Sequence, residues 1–160
     1  MNSNLEIINP PNLLKSKVKD GGPGAIDADT LARAEVAVAG LTDQYLEWVA
    51  KDLDKITSAY TELSSPDGDL ATKLDDVFQI SHDIKGQGGS FGYDLMTVIG
   101  NQLCRLIENS KPENSKLVEG IGVHINSMKL VIAQNIKGDG GKVGDKILSG
   151  LDLVYKKTTA

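Results

Sequence analysis

Helical periodicity runs through most of this chain and restricts its fold more than any other feature of the sequence. From about residue 40 to residue 157, apolar residues recur at spacings of three and four, which places them on one face of successive helices. No segment alternates apolar and polar residues as a half-buried strand does, and no internal repeat is present. Turn-forming clusters such as "SSPDGD", "NSKPEN" and "GDGG" separate the periodic segments. The pattern therefore predicts an all-α fold, an antiparallel up-down four-helix bundle joined by short loops.

The N-terminal part of the sequence differs from the rest. Residues 1–28 contain three prolines and three glycines and are predicted to form an extended arm or loop. Residues 29–160 are predicted to form one domain, whose first element is an additional short helix. Asp29 is expected to cap this helix, which is expected to end at Gly40, and Thr42 is expected to cap the next one.

Four further helices are expected after the break at "SSPDGD". The first is expected to begin near Leu70, and the second to follow the glycine cluster at residues 86–92 and to end near Pro112. The third is predicted to run from about Ser115 to Lys137, and the last to follow "GDGG". The residues predicted to face inward are Leu74, Val77, Ser81 and Ile84, then Leu95, Ile99, Gln102, Leu103 and Leu106, then Leu117, Ile121, Ile125, Met128 and Ile132, and finally Val143, Ile147, Leu151 and Val154.

Composition argues against several classes of protein. A chain of 160 residues is large enough to bury one core, and its single cysteine, Cys104, permits no intramolecular disulfide. The net charge is -5 and no basic stripe is present, which argues against nucleic-acid binding. No apolar run approaches the roughly 18 residues of a transmembrane helix, and no signal peptide is recognisable. The sequence therefore predicts a cytoplasmic protein that binds neither nucleic acid nor membrane. A monomer is predicted because no apolar helix face remains once the bundle forms.

One histidine lies on the exposed side of a predicted helix, in the segment "SHDIKGQGGSFG". At about 100° per residue, His82 points about 100° away from the centre of the buried stripe, towards solvent. Phe78, Lys85, Gly86 and Gly89 lie on the same side of the helix. Lys85 supplies a positive charge one turn away, and the two glycines lack the side chains that would keep another protein at a distance.

The neighbours of this histidine decide which chemistry is available to it. A metal site needs several His, Cys or carboxylate ligands, and the only nearby one, Asp83, points about 100° round the helix from His82. A hydrolytic triad needs a Ser or Cys nucleophile, but Ser81 points into the core and Ser90 lies beyond the glycines. An imidazole that is itself the nucleophile needs exposure, a neutral ring nitrogen and stabilisation of the group it receives. A phosphoryl group suits this site because Lys85 can donate a charge-assisted hydrogen bond to its oxygens.

The segment "SHDIKGQGGSFG", with "NQLCRLIE" on the next helix, resembles the histidine phosphotransfer (HPt) domain of bacterial phosphorelays. It is also similar to the phosphotransfer domain at the head of chemotaxis histidine kinases. The family pattern is a His, two residues, Lys-Gly, two small residues and a later Gly that opens the next helix. The resemblance implies that His82 is phosphorylated, that Lys85 is its charge partner, and that Gly86 and Gly89 form the docking surface for a receiver domain. The matching positions are His82, Lys85, Gly86, Gly88, Gly89 and Gly92.

Two positions depart from the family pattern. Gln87 stands where a small residue is usual, and its amide could donate a hydrogen bond to a phosphoryl oxygen. Tyr93 stands where Ala is common, at the start of the next helix. The specific match covers about residues 78–108, and it assigns no role to the first 40 residues.

The resemblance implies the function of a phosphoryl carrier in a two-component phosphorelay. The imidazole would accept a phosphoryl group from a receiver-domain aspartate of a hybrid histidine kinase and pass it to the receiver of a response regulator. The chain has no nucleotide-binding segment, so it is expected to be no enzyme and to have no ATP-dependent kinase activity. No cofactor or metal is expected on it, and Mg²⁺ is expected on the partner receiver. Two alternatives stay open: a helical-bundle adaptor that binds a response regulator without exchanging phosphate, and the phosphotransfer fragment of a chemotaxis-type kinase.

Three other residues were natural candidates for a site. His124 falls on the buried stripe of its helix and is predicted to be a core histidine. Cys104 has no basic neighbour on its own stripe and is predicted to be structural. Phe78 either covers an apolar patch beside His82 that a partner contacts or completes the core, and the sequence leaves these two interpretations open.

Overall fold

All the regular structure in the computed structural model is helical; the residues it describes are 26–160, apart from the side chain of Ala39. No strand occurs within this part of the chain, so the predicted all-α class is confirmed. None of the described helices combines the length and the apolar composition needed to cross a membrane. The arm predicted for residues 1–28 lies almost entirely outside the described residues. The elements are α1 (Ala28–Glu62), α2 (Leu70–Gly88), a 3-10 turn η1 (Gly89–Phe91), α3 (Asp94–Glu108), α4 (Ser115–Ala133) and α5 (Gly141–Thr159).

Helix α1 is continuous, so the predicted break at Gly40 and the separate N-terminal helix are wrong. A glycine in a helix interior costs about 1 kcal/mol relative to alanine, which weakens a helix without ending it, and the alanine-rich segment before Gly40 favours the helix. The start of α1 also differs from the prediction. Asp27 caps it instead of Asp29, because its carboxylate accepts a hydrogen bond from the backbone N–H of Thr30 at 2.6 Å. Thr42, the other predicted cap, lies inside the helix.

The chain divides into two compact units, residues 1–38 and Ala39–Ala160. In the first unit, the described residues 26–38 are all exposed. In the second unit, all five helices contribute buried apolar side chains to one core. The largest fully buried side chains are those of Tyr45, Ile56, Ile84, Tyr93, Leu95, Met96, Ile99, Leu103, Leu106, Leu117, Ile121 and Ile125.

The predicted inward-facing residues of α2 are confirmed, since Leu74, Val77, Ser81 and Ile84 are all buried. In α5 the prediction for Val143 is wrong, because this side chain is 49% exposed. Gly144 takes the buried position there. A side chain at Gly144 would collide with the backbone carbonyl of Asp139, so the first turn of α5 packs through its backbone.

Helix α4 ends at Ala133, earlier than the predicted end at Lys137. Asn135 adopts a left-handed backbone conformation with a φ of 51°. The N–H of Ile136 donates to the carbonyl of Val131 at 2.9 Å across this turn. This is the Schellman arrangement, in which asparagine is one of the few residues that tolerate the left-handed position. It turns the chain back towards the start of α3.

Candidate functional site

His82 lies on the solvent side of α2. The buried residues of this helix recur every three or four positions, and His82 directly follows one of them, Ser81. It is therefore rotated by about 100° from the buried face, and its side chain is exposed. The predicted exposure of His82 is confirmed.

Phe78 borders the imidazole from the preceding turn of α2. The centres of the Phe78 and His82 rings are 6.3 Å apart, with 26° between the ring planes. Phe78 is half-buried and lines a groove of about 300 Å³ between α2 and the end of α3. Two acidic residues, Asp75 and Glu108, also line this groove. Phe78 therefore packs partly against the body of the protein and also presents its ring beside His82, so the two interpretations left open by the sequence are compatible.

Two glycines that follow His82 leave the surface beside it without protruding side chains. Gly86 is exposed, and a Cβ atom added there would meet nothing within 4 Å. Gly89 is also exposed, and a Cβ atom there would lie 3.5 Å from Asp94 Oδ1 and from Thr97 Oγ1. The space beside Gly86 is thus empty, whereas the space beside Gly89 is bounded by the side chains of Asp94 and Thr97.

The adjacent Gly88 serves a different purpose, because it is buried where α2 and α3 cross. A Cβ atom at Gly88 would lie 2.9 Å from Met96 Cβ and 2.9 Å from the carbonyl oxygen of Tyr93. On α3, a Cβ atom at Gly100 would lie 2.9 Å from Lys85 Cβ. The absence of side chains at these two glycines lets the two helices approach each other closely. Sequence reasoning missed Gly100, although a glycine in the interior of a helix is a signal of close packing.

Lys85 lies on α2 one turn after His82 and is half-buried. Its backbone and Cβ atom pack against Gly100, and this contact fixes the position of the Lys85 Cβ atom. Within residues 26–160 the one ion pair joins Lys55 to Asp52, so no carboxylate in this part of the chain holds the Lys85 ammonium. The cation is therefore on the same side of α2 as the imidazole and is not neutralised by a direct partner.

Thr97, on α3, connects the two ends of the glycine segment, and sequence reasoning missed it. Its hydroxyl donates a hydrogen bond to the carbonyl oxygen of Lys85 at 2.9 Å. The same hydroxyl accepts a hydrogen bond from the N–H of Gly89 at 2.9 Å. No single-sequence signal identifies this link, because it depends on where α3 crosses α2.

Gln87 lies on another side of α2. Five residues after His82, it is rotated by about 140° from the imidazole. It lines a groove of about 440 Å³ that faces α1. The structure therefore does not bring Gln87 next to His82, and its hydrogen bond to a phosphoryl group stays a prediction. The other residues that line this groove are Trp48, Lys51, Asp52, Lys55 and Phe91.

Tyr93 anchors the start of α3. It is fully buried, and its hydroxyl donates a hydrogen bond to Asn135 Oδ1 at 2.6 Å. The ammonium of Lys137 lies 3.8 Å from the centre of the Tyr93 ring, a cation–π contact. The N–H of Gly138 donates to the carbonyl of Gly92 at 2.7 Å. The loop after α4 therefore supports the turn that follows the glycines. The sequence alone did not reveal that Tyr93 makes these contacts.

The other histidine, His124, is buried in the core, as predicted, and Cys104 is buried as well. His124 Nδ1 lies 2.8 Å from the carbonyl oxygen of Gly120, and Nε2 has no hydrogen-bond partner among the described residues. Burial lowers the pKa of His124 below its ordinary value. The Cys104 thiol donates to Ser81 Oγ at 3.7 Å, and burial raises its pKa. Neither group is open to a reaction partner, so His82 is the one histidine of this chain that is available at the surface.

Comparison of the chain with protein-family models, with curated proteins and with solved structures finds no match.

Proposed function

We propose that this chain is a histidine phosphotransfer protein, a phosphoryl carrier between two receiver domains in a cytoplasmic phosphorelay. The observation that carries the proposal is an exposed His82 on a helix whose next turn, at Gly86, offers no side chain. The aspartate of a docked receiver can reach the imidazole only if neighbouring side chains do not hold the receiver away. The low surface beside His82 meets that requirement.

The packing of the helices supports the same proposal. Short connections join α2 to α3, α3 to α4 and α4 to α5, and consecutive helices with short connections pack as antiparallel neighbours. We interpret these helices, with the part of α1 from residue 39 onward packed against them, as an antiparallel bundle of the HPt type. The burial of Ser81 and Ile84 fixes the backbone that carries His82 while a partner docks.

The proposed transfer is a nucleophilic substitution at phosphorus. The lone pair of His82 Nε2 forms a bond to the phosphorus atom, and the bond from phosphorus to the receiver's aspartate oxygen breaks. The aspartate leaves as a carboxylate with the bonding electron pair, and Nδ1 keeps its proton until solvent removes it. The reverse sequence delivers the phosphoryl group to the aspartate of a response regulator. Positioning and charge neutralisation supply most of the catalysis in phosphoryl transfer, so the carrier needs few catalytic groups.

Each neighbour of His82 has a proposed part in this reaction. Lys85 stabilises the charge on the phosphoryl oxygens, because its ammonium has no ion-pair partner among residues 26–160. Gly86 and Gly89 admit the receiver, and Phe78 offers it an apolar contact. Mg²⁺ would be bound by the receiver. The chain itself would act as a monomeric carrier without ATP-dependent kinase activity.

Incubation with phosphorylated receiver domains tests the proposal. Each receiver of the source cell is labelled with radioactive phosphate and mixed with the wild-type chain or with His82→Gln. We expect at least one receiver to transfer label to the wild type, in an acid-labile and alkali-stable form, and none to label His82→Gln. Circular dichroism of the variant should match the wild type, since His82 is exposed. Absence of label on the wild type, or equal label on the variant, would overturn the proposal.

The same experiment separates the carrier from a helical-bundle adaptor. If a receiver binds the wild type and His82→Ala with equal affinity and no phosphohistidine forms, the chain is an adaptor.

A further inference from the structure

The hydroxyl of Thr97 occupies an unusual position at the end of α2. In a regular helix, the N–H of residue 89 would donate directly to the carbonyl of residue 85. Here the N–H of Gly89, the residue that caps the end of α2, also has a partner on α3. The Thr97 hydroxyl accepts from Gly89 N–H at 2.9 Å and donates to Lys85 O at 2.9 Å, so it bridges two groups that pair in a regular helix. One side chain of α3 thus bonds to two backbone groups at the end of α2.

The glycines of the motif make room for this hydroxyl. A Cβ atom at Gly88 would lie 3.0 Å from Thr97 Oγ1, and one at Gly89 would lie 3.5 Å from it. A chain with side chains at both positions would hold Thr97 further from α2. The glycine cluster therefore does more than leave a partner-facing surface open, since it also admits a link from the neighbouring helix.

This link joins two parts of the candidate site. Lys85 supplies the cation beside His82, and Gly89 is the far end of the open surface that begins at Gly86. Glycine has more backbone freedom than any other residue, so a helix end that contains Gly86, Gly88 and Gly89 has little stiffness of its own. The Thr97 hydroxyl fixes both ends of this segment to α3, which is itself packed in the core.

We propose that Thr97 is a positioning residue for phosphoryl transfer. It holds the segment from Lys85 to Gly89 at a fixed distance and orientation from His82 and does not touch the phosphoryl group. This inference rests on the proposed phosphotransfer function. Its physical basis is preorganisation: a receiver that docks on an already ordered surface places its phosphorus in line with the imidazole without first ordering the helix end.

A pair of substitutions isolates the hydroxyl. Thr97→Val keeps the size and branching of the side chain and removes the donor and acceptor, whereas Thr97→Ser keeps the hydroxyl. The exposed Gly89 N–H can bond to water when the hydroxyl is lost, so Thr97→Val should fold. Thr57→Val is the matched control, because Thr57 is also half-buried in a helix and its hydroxyl bonds only to a carbonyl of its own helix, that of Leu53.

Two measurements are made on the full chain. The first is the hydrogen-exchange rate of the Gly89 amide by NMR, and the second is the rate of phosphoryl transfer from a saturating concentration of a phosphorylated receiver. We expect Thr97→Val to speed exchange at Gly89 and to slow transfer, each by about tenfold, the effect of one lost hydrogen bond. Thr97→Ser should restore both rates, and Thr57→Val should change neither.

The outcomes distinguish this inference from the proposed function. Unchanged exchange at Gly89 in Thr97→Val would overturn the positioning role, and so would fast exchange with an unchanged transfer rate. Failure of Thr97→Ser to restore transfer would show that the methyl group matters and the hydroxyl does not, which also overturns the role. A wild type that accepts no phosphoryl group from any receiver overturns the proposed function, while the exchange measurement still decides whether Thr97 holds the helix end.

Discussion

Helix α2 has a polar residue and a glycine on its buried side and another polar residue and glycine on its exposed side, and the two pairs have different roles. On the buried side, Ser81 and Gly88 contact α3, and Gly88 allows the two helices to approach closely. On the open side, His82 is exposed and Gly86 faces empty space. Ser81 is one position from His82, and Gly88 is two positions from Gly86. The buried and exposed members of each pair therefore differ only in their angle around the helix axis. The comparison teaches that the glycine cluster is two features, one for packing and one for access, and that helical phase decides which glycine belongs to which.

The largest effect should come from adding a methyl group on the buried side. Gly88→Ala would bring Cβ to 2.9 Å from Met96 Cβ and from the Tyr93 carbonyl oxygen, and neither can rotate away. We expect the free energy of unfolding to fall by about 1–3 kcal/mol, as overpacking of a close helix crossing does. Urea denaturation followed by circular dichroism measures the change. A variant as stable as the wild type would show that α2 and α3 do not depend on this contact.

The matched substitution on the open side should have the opposite sign. Gly86→Ala meets nothing within 4 Å and replaces a glycine in a helix interior. We expect the free energy of unfolding to rise by up to about 1 kcal/mol, because alanine favours the helix. Under the proposed function the same methyl group should weaken binding of a receiver, which titration of the variant with a receiver domain measures. A loss of stability in Gly86→Ala would contradict the assignment of Gly86 to the open side.

Lys85→Ala tests whether the cation beside His82 acts in phosphoryl transfer. The substitution itself should leave the fold unchanged. The variant keeps the Cβ atom that packs on Gly100, so we expect the unfolding midpoint to stay the same. The transfer rate should fall about tenfold, because a charge-assisted hydrogen bond to the phosphoryl group is lost. Lys51→Ala, a change at an exposed lysine of α1, is the control and should transfer at the wild-type rate. Equal rates in the two variants would mean that Lys85 is an ordinary surface lysine.

Helical periodicity in the sequence predicted which residues of α2 are buried and which are exposed. The inward stripe of α2 and the exposure of His82 follow from the spacing of apolar residues, because burial in a helix depends mainly on its phase. The burial of His124 follows in the same way. The error at Gly40 has a physical cause as well: glycine lowers helix stability by a modest amount, and an alanine-rich segment outweighs it.

The contacts that support the site could not be predicted from one sequence. The Thr97 link to Lys85 and Gly89 depends on how α3 crosses α2. The bond from Tyr93 to Asn135 joins positions 42 residues apart and depends on where α4 ends. The buried ring of Tyr93 and the bond of its hydroxyl support the start of α3. Local spacing carries information about one helix at a time and none about the crossing of two.

The buried histidine of α4 extends the comparison to pH. The pKa of His124 is lowered by burial from an ordinary value of 6.5, so the folded state keeps the ring neutral at a pH where the unfolded chain takes up a proton. The contribution of this group to stability is therefore complete above pH 6.5 and is lost as the pH falls through the folded pKa. We expect the free energy of unfolding to decrease below pH 6.5, with a slope from this group of at most about 1.4 kcal/mol per pH unit.

Substitution of each histidine in turn identifies the source of that slope. His124→Leu removes the titrating ring and should reduce the decrease, which urea denaturation at several pH values measures. His82→Gln removes the other histidine of the chain and should keep the decrease. The assignment is contradicted if His124→Leu and the wild type lose stability equally between pH 6.5 and pH 5.5.

A smaller loss than that of Gly88→Ala should come from removing the hydroxyl on the buried side of α2. Ser81 Oγ donates to the carbonyl of Gly100 at 3.1 Å and accepts from the Cys104 thiol at 3.7 Å. Ser81→Ala removes both bonds and leaves little empty volume, so we expect a loss of about 1 kcal/mol, seen as a lower urea midpoint with an unchanged slope. Ser149→Ala, at an exposed position of α5, should leave the midpoint where it is. If Ser81→Ala matches that control, the Ser81 hydroxyl contributes nothing measurable to the contact of α2 with α3.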